Sequence, residues 1–375
     1  MTTGQDFQPM FETLQRWNFV VKVYGAIVAV AVARCGGQMG VRLQDVAELA
    51  GVSMKTVSNV VREYEHVSPA TRERVQKAIA ELGYRPNMMG RRLATGRTGL
   101  IALAFSNVTV PYFAELSRAV SAAAGALGYR VLLEETDGTL AGERAVIASS
   151  EAGMVDGILF QPSIMSSVEI SRHRGDLPIV ILGEGAAPLP IDRVMIDNVL
   201  AARAVTEHLL ALGRRRIGFA GHEAGELSAT SIQRMMGYQQ ALEEHGIRPE
   251  PRLLFPSAEI SPSGAVRGVG AMLDAGIQVD GLVCRDDLAA IGALRALQER
   301  GVRVPDDVAV TGWDNIELSR VTFPNLTTIA PDLDGLARRA VEMLVERVGG
   351  YTGDGRHELV DYELLVRESA PGAAN

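Results

Sequence analysis

Met54, Lys55, Thr56, Ser58 and Asn59 bring a thioether, a cation, two hydroxyls and an amide together within six residues. Such a set offers recognition chemistry. Lysine and asparagine can bond base edges in a DNA major groove, and methionine can touch a thymine methyl. Hydroxyls and backbone N–H groups can hold phosphates. No catalytic signature competes with this reading. The chain has no GxxxxGK followed by Ser or Thr, no HExxH, no GxSxG, and no GxGxxG opening a helix after a strand. Its six histidines are scattered without metal-ligand spacing. The expectation is a protein that is not an enzyme and holds neither cofactor nor metal.

Those five residues need a helix to present them, and the stretch Val41–Arg62 supplies one. Leu43, Val46, Ala47 and Ala50 recur at helical spacing, so a first helix has one apolar stripe. Gly51 suits its C-terminus, where positive φ is needed. Ser53 suits the N-cap of a second helix. Val57, Val60 and Val61 then face the first helix, and Met54, Lys55, Thr56, Ser58 and Asn59 face outward. This is the pattern of a helix-turn-helix. An ordinary helical hairpin with a solvated polar face has the same pattern. Ser68-Pro69 opens a third helix, lined by Val75, Ile79 and Leu82 and ended by Gly83, and three short helices can close one small core.

At 375 residues the chain has room for two or three domains, and 47% hydrophobic content marks it as globular. The net charge of −8 is unevenly spread. Residues 39–98 carry +4 and residues 1–38 carry +1, leaving −13 on residues 99–375. A basic head on an acidic body suits a nucleic-acid-binding module joined to a part that does not touch nucleic acid. Cys35 and Cys284 form no CxxC and no disulfide framework, which fits a reducing cytoplasm.

From Gly99 onward, short apolar runs alternate with amphipathic helices. Leu100–Phe105, Arg130–Glu134, Gly157–Phe160, Ile179–Leu182 and Val194–Ile196 read as one series of strands. Arg216–Ala220, Leu253–Phe255, Gly281–Cys284 and Val308–Gly312 read as a second. Continuous apolar strands between helices mean parallel sheets covered on both faces. Two series predict two doubly wound α/β halves.

In order and spacing, DVAELAGVSMKTVSNVV, the Ser68–Gly83 helix, GYRPN and RRLATGRTG resemble the N-terminal region of the lactose-repressor (LacI/GalR-type) family. The resemblance extends over residues 41–369. It implies a helix-turn-helix domain at 41–86, a hinge helix and linker at 87–98, and a periplasmic-binding-protein-like core at 99–375. Within the core it implies one subdomain at about 99–197 and 328–350, and a second at about 198–327 and 351–369, with Glu358–Val366 returning as a strand. In the hinge, Asn87, Arg91 and Leu93 would meet DNA, Leu93 by wedging into the minor groove. Residues 1–40 fall outside the resemblance. Phe19–Ala33 is apolar apart from Lys22, which could be read as a signal segment or a short membrane span. The preferred expectation is that 1–40 lie outside the functional fold, with Met39 a plausible start and no membrane association.

Ligands of open parallel sheets bind beyond the carboxyl ends of the strands. Tyr112 and Phe113 follow the first strand and could stack on a sugar ring or a base. Two aromatics capping the sheet is the other reading. By resemblance, Arg234 is the arginine that forks onto a ligand and Asp314 the aspartate that accepts its hydroxyls. Val110 stands where the family usually has Asn, and Asp286 where it usually has Asn. A carboxylate at Asp286 favours a ligand rich in hydroxyl or amine donors, while Asp287 is expected to cap the helix it starts. The resemblance implies a cytoplasmic homodimeric repressor on an inverted-repeat operator, switched by a small molecule, commonly a carbohydrate. A soluble periplasmic-type sugar-binding protein is the alternative, and residues 41–98 argue against it.

Overall fold

The computed structural model describes residues 41–61, 64, 66–84, 97–183 and 191–372. It divides into two compact units, one ending at Gly96 and one beginning at Arg97. The expectations for residues 1–40 and for Asn87, Arg91 and Leu93 lie outside the described residues. Among those described, no helix is long and apolar enough to cross a membrane.

The first unit is a three-helix head: α1 (Leu43–Ala50), α2 (Met54–Val61) and α3 (Pro69–Leu82). Val46, Val57 and Val75, one from each helix, are fully buried together. The local signals work as read. Gly51 ends α1 at φ 63°. The Thr56 N–H donates to Ser53 Oγ at 3.2 Å, and the Thr71 N–H to Ser68 Oγ at 3.3 Å.

The second unit has two six-stranded sheets. The first lobe contains β1 (Leu100–Phe105), α4 (Pro111–Ala126), β2 (Arg130–Glu135), α5 (Leu140–Ser149), β3 (Ile158–Phe160), α6 (Ser167–His173), β4 (Ile179–Leu182) and β5 (Asp192–Met195). The second contains α7 (Asn198–Ala211), β6 (Ile217–Glu223), α8 (Ala229–Glu244), β7 (Leu254–Ser257), α9 (Pro262–Asp274), β8 (Gly281–Cys284), α10 (Asp287–Glu299), β9 (Ala309–Trp313) and β10 (Thr327–Pro331). The chain then returns to the first lobe as α11 (Leu333–Val348) and β11 (His357–Leu359), and ends in the second as β12 (Tyr362–Leu365).

The strand orders are β11-β5-β4-β3-β1-β2 and β12-β10-β9-β8-β6-β7, parallel except for β12. Both faces of each sheet are covered, as continuous apolar strands require. In β1, Ile101, Leu103 and Phe105 meet α4 and α11, while Ala102 and Ala104 meet the α5–α6 side. The chain order reverses between β1 and β3 in one lobe and between β6 and β8 in the other. These are the switch points beyond which ligands bind in such sheets.

The crossings between lobes correct two expected boundaries. The second falls at Asp332, so residues 328–331 belong to the second lobe. The third falls at Val360–Asp361, so residues 351–359 belong to the first. The single strand expected over Glu358–Val366 is two strands: β11 pairs with β5, and β12 with β10. A chain leaving one sheet for another cannot keep one continuous ladder. Val360 N–H still bonds Met195 at 2.9 Å, and Asp332 N–H bonds Asp361 at 3.0 Å.

β11 is anchored by a buried charge cluster. The fully buried Asp192 carboxylate accepts from Arg347 Nη2 at 2.8 Å and from Arg356 Nη2 at 2.7 Å. Both guanidinium groups lie over the Tyr351 ring, at 4.6 and 4.4 Å from its centroid. Burial works against the Asp192 charge, but these hydrogen bonds prevail and hold its pKa down at about 2. The native carboxylate therefore sheds its proton more readily than the unfolded one. Its stabilisation is present above pH 4 and is lost as pH falls towards 2. Asp192→Asn should destabilise the second unit by about 3 kcal/mol at pH 7, as breaking a buried pair does. Urea unfolding should show that deficit shrinking below pH 4.

Candidate functional site

At the end of β9, Trp313 is 1% exposed and Asp314 follows it with φ 97°. That φ is rare for a residue with a side chain and marks stored strain. Every residue of the turn from Asp314 to Glu317 is gripped. Asp314 N–H donates to Ile329 O at 2.9 Å. The Asn315 amide oxygen accepts from Arg367 at 2.6 Å, and Ile316 N–H donates to Asp287 at 2.9 Å. Glu317 N–H donates to Glu115 Oε1, from the opposite lobe, at 3.0 Å.

Arg234 reaches Asp314 from α8. Its Nε donates to Asn198 Oδ1 at 2.9 Å, Nη1 donates to Arg285 O, and Nη2 lies 3.9 Å from the Asp314 carboxylate. The guanidinium carbon stands 3.9 Å from the Trp313 ring centroid, a cation–π contact that fixes the plane of the fork. The separation from Asp314 is too long for a hydrogen bond but short enough for one polar atom to bridge. Burial raises the Asp314 pKa to about 6. Arg234 and Arg285 oppose the rise, and the Asp286 and Glu115 carboxylates add to it.

Asp286 also stands beyond a strand end, but both its oxygens have protein partners. One accepts Ala289 N–H at 2.8 Å and caps α10, and the other pairs with Arg285. Asp286 is therefore the cap, and the expectation for Asp287 is corrected by one residue. Asp287 sits inside the first turn, 1% exposed, and accepts from Thr328 Oγ1 at 2.6 Å. Burial pushes its pKa well above the carboxylate range, and the nearby Asp314 charge adds to the shift.

Of the two aromatics after β1, Phe113 is buried and stacks on Phe105, with centroids 5.0 Å apart. Pro111 starts α4 and so sets its phase, turning Phe113 onto the sheet. The stacking role expected for Phe113 is thus taken up by packing. Tyr112 is half-buried beside it, edge-on at 5.3 Å.

Four residues at this end of the second lobe were not anticipated: Asn198, His222, Glu223 and Arg285. Arg285 pairs with Glu223 at 3.4 Å as well as with Asp286. β6 runs three residues beyond the expected Ala220 through an irregularity there. Gly221 adopts φ 90°, and a Cβ on it would lie 2.4 Å from that of Ala289. Only glycine fits, and the swing it permits carries His222 and Glu223 to the switch point. The position after the strand was the available signal. In the head, Met54 is 53% exposed and Lys55 is exposed, both in the first turn of α2. Thr56, Ser58 and Asn59 are half-buried, and Thr56 Oγ1 lies 2.9 Å from Ser53 Oγ within the cap.

Residues 42–87 match the family of bacterial regulatory proteins, lacI family, and residues 206–370 match the periplasmic binding protein-like domain. The chain is 32% identical over 329 residues to the HTH-type transcriptional repressor CytR of Escherichia coli strain K12, covering 87% of this chain and 95% of that one. The Lac repressor dimer bound to operator and the anti-inducer ONPF superposes with a TM-score of 0.79 at 29% identity, covering 88% of this chain and 99% of that one. The transcriptional regulator CelR in complex with cellobiose gives 0.66 at 29% identity, with the same coverage. CytR and the Lac repressor are repressors, not enzymes.

Asp314 holds its proton more tightly in the folded protein than in the unfolded chain. Its contribution to stability is therefore full below about pH 4 and is lost as pH rises through 6. Asparagine tolerates the left-handed backbone. The stability of Asp314→Asn relative to the parent should improve by about 2–3 kcal/mol as pH rises from 4 to 7, read from thermal or urea unfolding.

Proposed function

The chain belongs to the lacI family of bacterial regulatory proteins and is a DNA-binding transcription regulator, and from that premise we propose that it is a cytoplasmic repressor whose operator affinity is switched by a carbohydrate or carbohydrate-like effector. The single observation that carries the effector reading is the pairing of Arg234 with Asp314. A planar set of donors and a carboxylate face each other across 3.9 Å at strand ends. A ligand hydroxyl can accept from the first and donate to the second. Tyr112 supplies an aromatic flank, and Asp286 adds negative potential. The cellobiose complex of the similar CelR supports the ligand class.

In the head, Met54 and Lys55 reach farthest and would read base edges, with Asn59 behind them. Thr56, Ser58 and backbone N–H groups would position phosphates. Asn87, Arg91 and Leu93 are proposed to act in the hinge, Leu93 as a wedge between central base pairs.

An inverted-repeat operator requires two heads. Leu318, Val321 and Phe323 are 49%, 71% and 94% exposed within six residues of the second lobe. Apolar exposure on that scale suits a two-fold interface, and the similar Lac repressor is a dimer on its operator. The effector must bind two forms of the core with different affinity, or it cannot change DNA binding.

A thermal-shift screen against sugars and nucleosides, followed by operator binding with each hit, tests the whole reading. Absence of any hit that alters operator binding would overturn it. Arg234→Ala should abolish the effector response and leave operator binding intact. Lys55→Ala should lower operator affinity by about 1–3 kcal/mol and relax base preference at one position of each half-site, with random DNA little affected. Phe323→Asp should yield monomers in sedimentation and lose operator binding at concentrations where the parent is saturated.

A further inference from the structure

The two lobes are joined by three crossing segments, and away from these a hydrogen bond spans the cleft between them. Glu317 N–H donates to Glu115 Oε1 at 3.0 Å. Glu115 lies on the first turns of α4, three residues from Tyr112. Glu317 lies three residues from Asp314. The contact thus ties the aromatic side of the cleft to the carboxylate side.

The grips on the Asp314–Glu317 turn differ in origin. Ile329, Arg367 and Asp287 hold the first three residues and belong to the same lobe as the turn. Glu115 holds the fourth from the other lobe. Separating the lobes leaves the first three in place and removes the fourth. It also carries the Glu115 carboxylate away from Asp314.

We propose that Glu115 makes closure of the two lobes proton-linked, latching the cleft through Glu317 N–H while imposing on Asp314 a negative charge that protonation of Asp314 relieves. The proposal concerns regulation of the cleft and rests on the reading that an effector is taken there. The groups facing Asp314 are Arg234 from α8, Arg285 and Asp286 beyond β8, Asp287 from α10 and Glu115 from α4. All but Glu115 travel with Asp314. Opening therefore lessens the burial that does most to raise the Asp314 pKa and also removes one charge that favours the protonated acid, so both effects act in the same direction. The closed form binds the proton more tightly, so acid favours closure and alkali favours opening. The Asp314 pKa of about 6 places the change between roughly pH 5 and 7.

The test uses the full-length protein without ligand or DNA. Small-angle scattering gives the open and closed populations from pH 5 to 8, and hydrogen exchange follows the Glu317 amide against that of Ile316. In the parent, the closed-to-open ratio should fall about fivefold between pH 5 and 8, for a one-unit pKa difference between the two forms. Glu115→Gln keeps an acceptor for Glu317 N–H but loses the charge. It should stay closed with a pH profile shallower than the parent's, since burial of Asp314 still links closure to its proton. Glu115→Ala loses both, and should be more open at every pH, with Glu317 exchanging at least about tenfold faster and Ile316 unchanged. Asp314→Asn should also flatten the profile. A parent-like pH profile in Glu115→Gln, or a parent-like Glu317 exchange rate in Glu115→Ala, would overturn the proposal. Neither result depends on which effector the protein takes, so failure of the sugar reading would remain distinguishable.

Discussion

Asp314 is held on a strained backbone at the end of a buried strand, where loss of water works against its charge. One guanidinium, fixed over Trp313 and bonded to Asn198, keeps that charge tolerable without closing on it. The rest of the second lobe is arranged around this incomplete pair. Asp287 is buried beneath the turn to hold Ile316 and takes the desolvation itself. Asp286 caps α10 and steadies Arg285, whose carbonyl in turn orients Arg234. Gly221 lets β6 swing so that Glu223 can balance Arg285. The strained backbone at Asp314 and the burial of Asp287 cost stability locally, and the surrounding packing offsets the cost.

Much of this was legible in the sequence because its signals are local. Gly51, Ser53 and Ser68-Pro69 act within one turn of their own position, so the head could be read residue by residue. The central strands announced themselves because burial on both faces leaves few polar positions. Arg234 and Asp314 were singled out through the family pattern together with the rule that sites lie beyond strand ends, and the structure brings them to 3.9 Å of each other. Misreadings occurred where a side chain's direction depends on something distant. The aim of Phe113 is set by where Pro111 starts α4, and that follows from how the loop after β1 meets the sheet. Cap and first-turn roles at Asp286 and Asp287 differ by one residue, and only the exact end of β8 decides between them. His222 and Glu223 looked like loop residues, since no local pattern reveals that a glycine kink extends β6. The last strand was read as continuous because the family resemblance implied one strand over Glu358–Val366, and nothing local marks where the chain changes sheets.

The interleaving of the lobes has a consequence for how the chain is made. The first lobe's apolar face is completed by Leu336, Ala337, Ala340, Val341, Met343 and Leu344 of α11, and its sheet by β11. These leave the ribosome only after all of the second lobe except β12 and the residues beyond it has been synthesised. At roughly 5–20 residues per second, β1 to β5 wait on the order of ten to thirty seconds with one flank bare. During that interval the nascent protein presents a sticky, half-built surface. A gene truncated between β10 and α11 therefore encodes a first lobe that cannot close its core beside a second lobe that lacks β12.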